Sequence, residues 1–221
     1  MATAGRMATA TDTGDLLRLT QWLSPAFPVS SYAYSHGLEA EIAAGRVRDA
    51  GALRCWVEVV LTRGSGFSDA VFLVAARKPG ADIPGLTDLA RAMVAGRERL
   101  EETQSQGRAL SDTLSALGMA VPDAPYPVAL GVACRDLSLG DGDVAALYLQ
   151  AFAAMLISAA VRFMPLGQVE GQGVLAALQP VCTAAALRAT EMTPEDITQS
   201  AFGADMASLE HERLEVRIFR T

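Results

Sequence analysis

The sequence predicts an all-α fold, a single domain of about eight to ten helices that ends in a C-terminal tail. Two observations predict it. Apolar residues recur at helical spacing along most of the 221 residues, and no alternating run rich in β-branched residues is long enough for a strand. We expect residues 1–13 to be a disordered N-terminal extension, 14–203 the helical domain and 204–221 the tail.

Proline and glycine divide the first half of the chain into helices. A short amphipathic helix over 15–23 ends where Pro25 disfavours helix in the residue before it. Ser35 is the expected N-cap of the next helix, 36–44, and Gly45 suits the position after its last turn. The further helices of this half are expected at 49–61, with Asp49 as its cap, and at 69–77, 86–95 and 97–117.

The second half centres on a long apolar helix, expected from Asp141 to Arg162. It follows a proline-rich linker, 118–127, and a short helix, 128–137. Pro180 suits a first helical turn and is expected to start a new helix. The remaining helical pieces are expected at 168–178, 180–190, 193–196 and 206–214.

The stretch from Val144 to Val161 contains no charged residue, and a run of about 18 such residues is where a membrane-spanning helix becomes conceivable. It is rich in alanine, includes Gln150 and Ser158, and has no basic excess at either end. A helix that is apolar all round is also what the centre of a soluble bundle needs. We expect burial in a soluble core, with a membrane protein as the alternative.

Charge and cysteine content narrow the class of protein. The net charge is −7, whereas nucleic-acid binding needs a basic face, so no nucleic-acid partner is expected. Cys55, Cys134 and Cys182 form no C-x-x-C pair, which fits the reducing cytoplasm. Residues 1–13 lack the apolar region of a secretory signal, and Met7 is an alternative start to the first residue.

Residues suited to catalysis are few. The two histidines, His36 and His211, lie at opposite ends of the chain, and no close spacing supports a metal cage. His211 is the better candidate for a metal ligand, since Glu210 and Glu212 flank it; a solvated, charged helix face is the simpler interpretation. We expect no catalytic residue. The alternative is a small helical enzyme that uses a Cys/His pair.

Two segments at opposite ends of the chain do not look like core elements. Residues 24–35 carry two prolines and three aromatic side chains, which predicts a shaped loop. The tail alternates charged and apolar residues and ends on Arg217-Ile-Phe-Arg-Thr221. Such a chain end either docks on its own core or is kept for a partner.

Four blocks of residues resemble the UreF family of urease accessory proteins. Residues 27–39, Phe-Pro-Val-Ser-Ser-Tyr-Ala-Tyr-Ser-His-Gly-Leu-Glu, are similar to the family signature LPVGGFSYSQGLE. Residues 101–108, residues 158–168 and the C-terminal Arg-Ile-Phe-Arg follow in the order of the family. Together the four blocks span residues 16–221.

The resemblance implies a cytoplasmic, non-enzymatic chaperone for nickel insertion into urease. Family members are similar in being homodimeric helical adaptors that bind the UreD (UreH) scaffold and recruit the UreG GTPase. That complex docks on apo-urease, and UreF couples GTP hydrolysis in UreG to nickel delivery. The resemblance further implies that the chain alone binds no cofactor, that the assembled complex handles nickel, and that the tail is mobile alone and ordered on UreD.

The resemblance also assigns candidate binding residues. Glu39 and Arg162 stand where the family has an acidic and a basic residue, and with Gln168 they are expected to face UreG. The residues expected on the UreD-facing side, or in the loop that supports it, are Tyr32, Tyr34, Arg217, Phe219 and Arg220.

The chain departs from the family pattern at three places. Ser30-Ser31 stands where Gly-Gly is usual, which bears on any left-handed backbone there. His36 stands where glutamine is usual. The tyrosine common before the terminal motif is replaced within residues 214–216.

Overall fold

Every regular element of the described chain is helical. The structure, a computed structural model, describes residues 12–215 and 217–219, and no strand occurs among them. The predicted all-α, single-domain fold is confirmed. Ten α-helices follow one another: α1 Thr13–Trp22, α2 Leu38–Ala43, α3 Ala50–Arg63, α4 Ser65–Arg77, α5 Ile83–Ala92, α6 Arg97–Ala116, α7 Tyr126–Ala133, α8 Asp141–Phe163, α9 Gln168–Thr190 and α10 Phe202–His211. Short 3₁₀ turns lie at Ser31–Ala33 and Pro194–Asp196.

Aspartate side chains start several of these helices. Asp12 accepts the N–H of Gly14 at 2.9 Å at the start of α1, and Asp49 accepts that of Ala52 at 2.8 Å at the start of α3. A side chain that accepts one of the unpaired first N–H groups stabilises a helix by about 1 kcal/mol. The predicted cap at Asp49 is confirmed. Residues 12 and 13, the described part of the expected extension 1–13, belong to the start of α1.

Helices α4 and α8 lie at the centre of the bundle. Nearly every residue of α4 is buried, and α8 contributes the fully buried Leu149 and Leu156. Helix α8 packs along α9, and α4 packs against α7. At Gly131 of α7 the two backbones approach so closely that a Cβ would lie 2.5 Å from the carbonyl oxygen of Leu73. A large side chain is therefore excluded from this crossing.

Arg77, buried at the end of α4, fixes the turn between α7 and α8. Its guanidinium donates to the carbonyl oxygens of Cys134 and Leu139 and pairs with Asp141 at 2.8 Å. A buried charge is costly unless it is hydrogen-bonded, and these acceptors meet that requirement. The start of the long helix α8 is thereby joined to the end of α4.

Helix α9 is continuous through Pro180, so the predicted break there is wrong. A proline inside a helix removes one backbone hydrogen bond and costs roughly 3 kcal/mol. The ring of Pro180 faces solvent, whereas Leu178 and Cys182 on either side are buried in the core. Burial of that face offsets the cost of the proline, because tertiary packing supplies most of the stability of a protein helix.

Several other helices begin earlier than predicted. Pro84 and Pro127 are the second residues of α5 and α7, where a missing N–H costs nothing, so prolines stand inside these helices and not before them. Only Gly64 separates α3 from α4, which begins at Ser65 and not at residue 69. Helix α10 begins at Phe202, four residues before its expected start.

Helix α2 begins at Leu38 and not at the predicted residue 36. His36 and Gly37 have φ angles of 54° and 80°, a left-handed conformation in which a right-handed helix cannot propagate. The hydroxyl of Ser35, the predicted cap, accepts the N–H of Glu39 at 3.4 Å. The N-cap residue of α2 is nevertheless Gly37, so the predicted N-cap at Ser35 is wrong, because a left-handed turn lies between Ser35 and the helix.

Three helical segments of the described chain are long and apolar enough to cross a membrane, judged by length and composition only. They are Ala50–Arg77, which comprises α3 and α4, and the helices Asp141–Phe163 and Gln168–Thr190. Of the apolar stretch in the first segment, 72% is buried inside the bundle, and in α8 the share is 56%. Helix α8 packs against α4 and α9. Burial among other helices is the arrangement that we expected for residues 144–161.

Candidate functional site

The loop between α1 and α2 carries the signature residues. Phe27 and Val29 anchor it in the core, Tyr34 is buried as well, and Tyr32 is exposed. Ser30 has a φ angle of 58°, a left-handed conformation that costs a non-glycine residue roughly 1–2 kcal/mol. The surrounding anchors therefore hold Ser30 in a strained backbone.

At Gly37 the backbone that leads into α2 touches α10. A Cβ on Gly37 would lie 2.5 Å from the backbone nitrogen of Ser208 and 2.7 Å from the carbonyl carbon of Ala207. Real Cβ atoms do not approach a backbone so closely, and the φ angle of 80° also favours glycine. Glycine at this position therefore permits α10 to dock beside the signature loop.

Glu39, in the first turn of α2, holds the end of the chain. Its carboxylate accepts the backbone N–H groups of Ile218 at 2.8 Å and Phe219 at 2.9 Å, and it contacts Nε2 of His211 at 3.1 Å. Only 3% of Glu39 is exposed. In this conformation Glu39 contacts the tail and presents almost no surface to a partner.

His211, at the end of α10, lies between two carboxylates. Its Nδ1 is 2.8 Å from Glu98 of α6, its Nε2 faces Glu39, and none of the residue is exposed. Glu98 also pairs with the guanidinium of Arg217. We call Glu39, Glu98, His211 and Arg217 the tail cluster. It joins α2, α6, α10 and the tail through charged side chains.

Arg162, near the end of α8, connects the loop with the tail. Its guanidinium donates to the carbonyl oxygen of Tyr32 at 2.9 Å and lies 4.8 Å from the centre of the Phe219 ring. A guanidinium over an aromatic face is attracted by its quadrupole. Arg162 is therefore a neighbour of Tyr32 and Phe219. The resemblance assigned Arg162 to the UreG-facing surface and the other two residues to the UreD-facing side.

Gln168 lies apart from the other predicted site residues that the structure describes. Gln168 is the exposed first residue of α9, and the described contacts do not join it to the tail cluster. Arg220 lies outside the described residues. Eight residues are predicted to bind partners, and the structure brings six of them into one region: Tyr32, Tyr34, Glu39, Arg162, Arg217 and Phe219.

One face of α10 is apolar and exposed. Phe202, Met206 and Leu209 stand at positions i, i+4 and i+7, and Ile218 of the tail is also exposed. The exposed fraction of Phe202 is 73%. Their spacing places these residues on one side of a helix, and this is the signal in the sequence that could have indicated them. A helix that buries His211 on one side thus leaves an apolar stripe on the other.

A second group of buried charges lies between α6, α4 and α8. Glu102 contacts Nε2 of His36 at 3.0 Å, and Asp69 accepts the hydroxyl of Tyr148 at 2.8 Å and pairs with Arg99. Burial raises the pKa of Asp69, and the charge of Arg99 opposes that rise. Burial also penalises the charged form of Glu102, but the charges of His36 and Arg99 outweigh it and lower the pKa.

The Cys/His enzyme that the sequence left open finds little support at two of the three cysteines. Burial raises the pKa of the Cys134 thiol to about 12 and that of Cys182 to about 11, so both remain protonated and weakly nucleophilic near neutral pH.

A hydroxyl group and a small cavity lie beside His36. The hydroxyl of Ser65 is 3.5 Å from Nδ1 of His36. The adjacent cavity of about 50 Å³ has room for a few water molecules.

Metal binding at His211 would require a change in its contacts. Both ring nitrogens already face carboxylates, and a ligand nitrogen needs a free lone pair. Within residues 12–215 and 217–219, no group of three or more His, Cys, Asp or Glu side chains is arranged to hold a metal ion.

A model of the UreF family matches residues 47–179, which is more than half of the chain. The chain belongs to the UreF family. Three similar relatives are each named urease accessory protein UreF. The protein of Jannaschia sp. strain CCS1 is 56% identical over 210 residues, 95% of this chain and 96% of the relative. The protein of Cereibacter sphaeroides strain KD131 is 51% identical over 93% of this chain and 98% of the relative. The protein of Paracoccus denitrificans strain Pd 1222 is 49% identical over 97% of this chain and 100% of the relative.

Membership of the UreF family confirms the resemblance seen in the four sequence blocks and implies a role in urease maturation. The relatives are named as accessory proteins, which is consistent with a non-enzymatic role. The departures from the UreF signature also acquire a structural meaning. Ser30 keeps a left-handed backbone where the family has glycine, and His36 uses its ring to contact Glu102.

Proposed function

We propose that this UreF protein is an adaptor in urease maturation that binds the UreD scaffold and the UreG GTPase and couples GTP hydrolysis to nickel insertion into apo-urease. One observation carries the proposal. The signature loop and the C-terminal tail meet at the tail cluster, and the docked α10 leaves an apolar stripe exposed beside them. Three large apolar side chains that share one exposed helix face suit a protein partner.

UreD is proposed to bind the exposed face of α10 together with the loop. Phe202 and Met206 supply large apolar side chains, Ile218 extends the surface into the tail, and Tyr32 stands exposed on the loop. Aromatic residues and methionine are enriched at the centres of protein interfaces. Arg217 and the buried Tyr34 and Phe219 support this surface from beneath, because the tail cluster and Arg162 fix the segment that presents it.

UreG is proposed to contact the surface around Arg162 and Gln168, which are six positions apart across the turn between α8 and α9. Both residues are exposed. Glu39 is a positioning residue in this proposal, because its carboxylate is buried and holds the tail on which Arg162 packs. A substitution at Glu39 would then affect UreG binding through the tail and not through a direct contact.

Nickel is proposed to be cargo of the assembled complex and not a ligand of the isolated chain. Both nitrogens of His211 are engaged, and the chain is proposed to carry no cofactor of its own. The proposal also makes the protein a cytoplasmic homodimer. Its unpaired cysteines, two of them buried, fit a reducing compartment.

The test is capture of UreD, followed by size-exclusion chromatography with light scattering. Truncation after Gly203 would cut inside α10 and expose buried Glu39 and Glu98, so point substitutions are sharper. We expect Phe202→Asp with Met206→Asp to abolish the complex, because burying a carboxylate without a partner is costly. The matched control is Val169→Asp, at an 87% exposed apolar position on α9.

Wild-type and Val169→Asp chains should both form the complex with UreD at equal protein concentration. Capture that survives the double substitution would move the UreD surface away from α10. Absence of a complex with the wild-type chain would overturn the adaptor proposal itself.

A further inference from the structure

A second small cavity, of about 40 Å³, lies between α6, α7 and α8. Buried side chains from all three helices line its inner part, among them Glu102 and Tyr126. Its half-buried lining residues mark the mouth and include Ser31, Ala151 and Met155. Because Ser31 belongs to the signature loop, the cavity opens beside that loop.

One residue that lines this cavity carries an acceptor without a donor. Glu102 is only 1% exposed, and no described residue donates a hydrogen bond to its Oε2. Nη1 of Arg99 lies 3.3 Å away in an ion pair that lacks hydrogen-bond geometry. The other oxygen, Oε1, accepts the amide of Gln106 at 2.9 Å. A buried acceptor left unpaired costs free energy, which a ligand with an N–H or O–H group would recover.

The charged groups that line the cavity offset each other. Burial favours the neutral form of Glu102, but the charges of His36 and Arg99 outweigh it and lower its pKa, so Glu102 is a carboxylate near neutral pH. The guanidinium of Arg99 lines the same cavity. An anionic ligand would lie close to Glu102 and a cationic one close to Arg99, and either contact is repelled or attracted by only one of the two. A neutral ligand avoids both repulsions.

Aromatic rings give the cavity flat apolar sides. The ring centroids of Tyr148 and Phe152 are 6.2 Å apart, and those of Tyr126 and Tyr148 are also 6.2 Å apart. A buried water molecule needs about two to four polar partners, and ring faces supply none. A planar group can instead place its faces on the rings and its polar edge toward Glu102. Burial raises the pKa of Tyr126, so its hydroxyl stays protonated and can donate.

We propose that this cavity binds a free, small primary amide. Such a molecule is planar and neutral, its N–H donates to Oε2 of Glu102, and its carbonyl oxygen accepts the hydroxyl of Tyr126. A volume of about 40 Å³ holds about three or four non-hydrogen atoms, which is the size of acetamide. The site goes beyond the adaptor function, because it belongs to the chain alone and needs no protein partner.

An asparagine side chain of a docked protein carries the same amide group. It would bring its own backbone against the mouth, where Ala151 and Met155 are half-buried, so the small volume favours a free molecule. N-acetylasparagine N-methylamide represents the side-chain source in the experiment, and acetamide represents the free one.

The experiment is a titration of the full chain with acetamide. Methyl signals of ¹³C-labelled methionine are recorded, and Met155→Leu identifies the signal of Met155 at the mouth. We expect this signal to shift and saturate with a Kd in the millimolar range, as suits so small a ligand. Acetate, ethylammonium and N-acetylasparagine N-methylamide should cause no saturable shift at the same concentrations.

Two substitutions test the assigned contacts. Ala151→Leu narrows the mouth and should abolish the shift. Tyr126→Phe keeps the ring, removes the hydroxyl and should weaken acetamide binding by about three- to tenfold, so the test does not depend on the folding of Ala151→Leu. The matched control is Tyr32→Phe, which removes an exposed hydroxyl of the signature loop and should keep the wild-type Kd.

Absence of a saturable shift with acetamide would overturn the proposal and leave the cavity to water. Binding of acetate or ethylammonium as tight as that of acetamide would overturn the assignment to a neutral amide. Equally tight binding of the asparagine derivative would overturn the assignment to a free molecule, and an unchanged Kd in Tyr126→Phe would overturn the role of its hydroxyl. None of these results depends on UreD or UreG, so failure here is distinguishable from failure of the adaptor proposal.

Discussion

Glu39 and Phe219, 180 positions apart in the sequence, are joined by a 2.9 Å hydrogen bond from the backbone N–H of Phe219 to the Glu39 carboxylate. Through this bond, an acidic residue of the UreF signature binds the C-terminal tail of the same chain. Because His211 contacts the same carboxylate, one side chain organises both α10 and the tail. The first predictions concern this region.

Glu39→Gln is expected to loosen the tail and lower the free energy of unfolding by about 2 kcal/mol, because hydrogen bonds to a buried charged acceptor are lost. The amide retains one oxygen acceptor but places an NH₂ group against N–H donors. Hydrogen exchange of the α10 amides and urea unfolding are the measurements. Glu101→Gln, at an exposed glutamate of α6, is the control and should match the wild type.

Gly37→Ala is expected to displace α10. Its Cβ would meet the Ser208 backbone at 2.5 Å, and overpacking of this kind costs about 1–3 kcal/mol beyond the cost of the left-handed backbone. Gly45→Ala is a matched control, since φ is 69° and nothing lies within 4 Å of the added Cβ. Urea unfolding of both variants checks the difference; equal losses of stability would show that Gly37 serves backbone conformation alone.

Ser30→Gly is expected to stabilise the protein by about 0.5 kcal/mol. The substitution relieves the left-handed strain at φ 58°, and the greater freedom of glycine in the unfolded chain offsets part of that gain. Ser31→Gly, in the adjacent 3₁₀ turn, should instead destabilise the protein by a similar amount. Thermal unfolding of the two variants decides the point, and a loss of stability in Ser30→Gly would contradict it.

Asp15 is expected to contribute to the loss of stability in acid. The backbone N–H and the hydroxyl of Ser138 donate to its carboxylate and hold its pKa below the usual range. A carboxyl whose pKa is lower in the folded state stabilises the fold above its ordinary pKa and loses that contribution as the pH falls through the folded value.

Melting temperatures measured from about pH 6 down to about pH 3 should therefore fall less steeply for Asp15→Asn than for the wild type. Asp88→Asn, at an exposed aspartate of α5, should keep the wild-type slope. A steeper acid slope in Asp15→Asn would show that the contact with Ser138 does not favour the charged carboxylate.

How far the sequence predicts this molecule depends on the distance over which each interaction acts. Asp49 caps α3 as predicted, because an N-cap bond spans only three residues. Pro180 does not end α9, because burial of Leu178 and Cys182 by other helices keeps the helix intact. Predictions from neighbouring residues were therefore confirmed where short-range hydrogen bonds determine the structure. They were wrong where tertiary packing outweighs the preference of a single residue.

The candidate site shows the same division. The signature and the C-terminal motif are visible in the sequence, and they sufficed to suggest the UreF family. Nothing local indicates that Glu98 would contact His211, 113 positions away, or that Arg162 would pair the loop with Phe219. Residues that seemed to face two partners became neighbours through the fold.

By itself, then, the sequence determined the helical class, the family and the two segments that matter, because periodicity, capping and motif order are properties of neighbouring residues. Tertiary structure alone decided that Glu39 is buried, that glycine at position 37 admits α10, and that His211 lies between two carboxylates. Charge pairing and close backbone contact depend on distances in space, which only the packed bundle fixes.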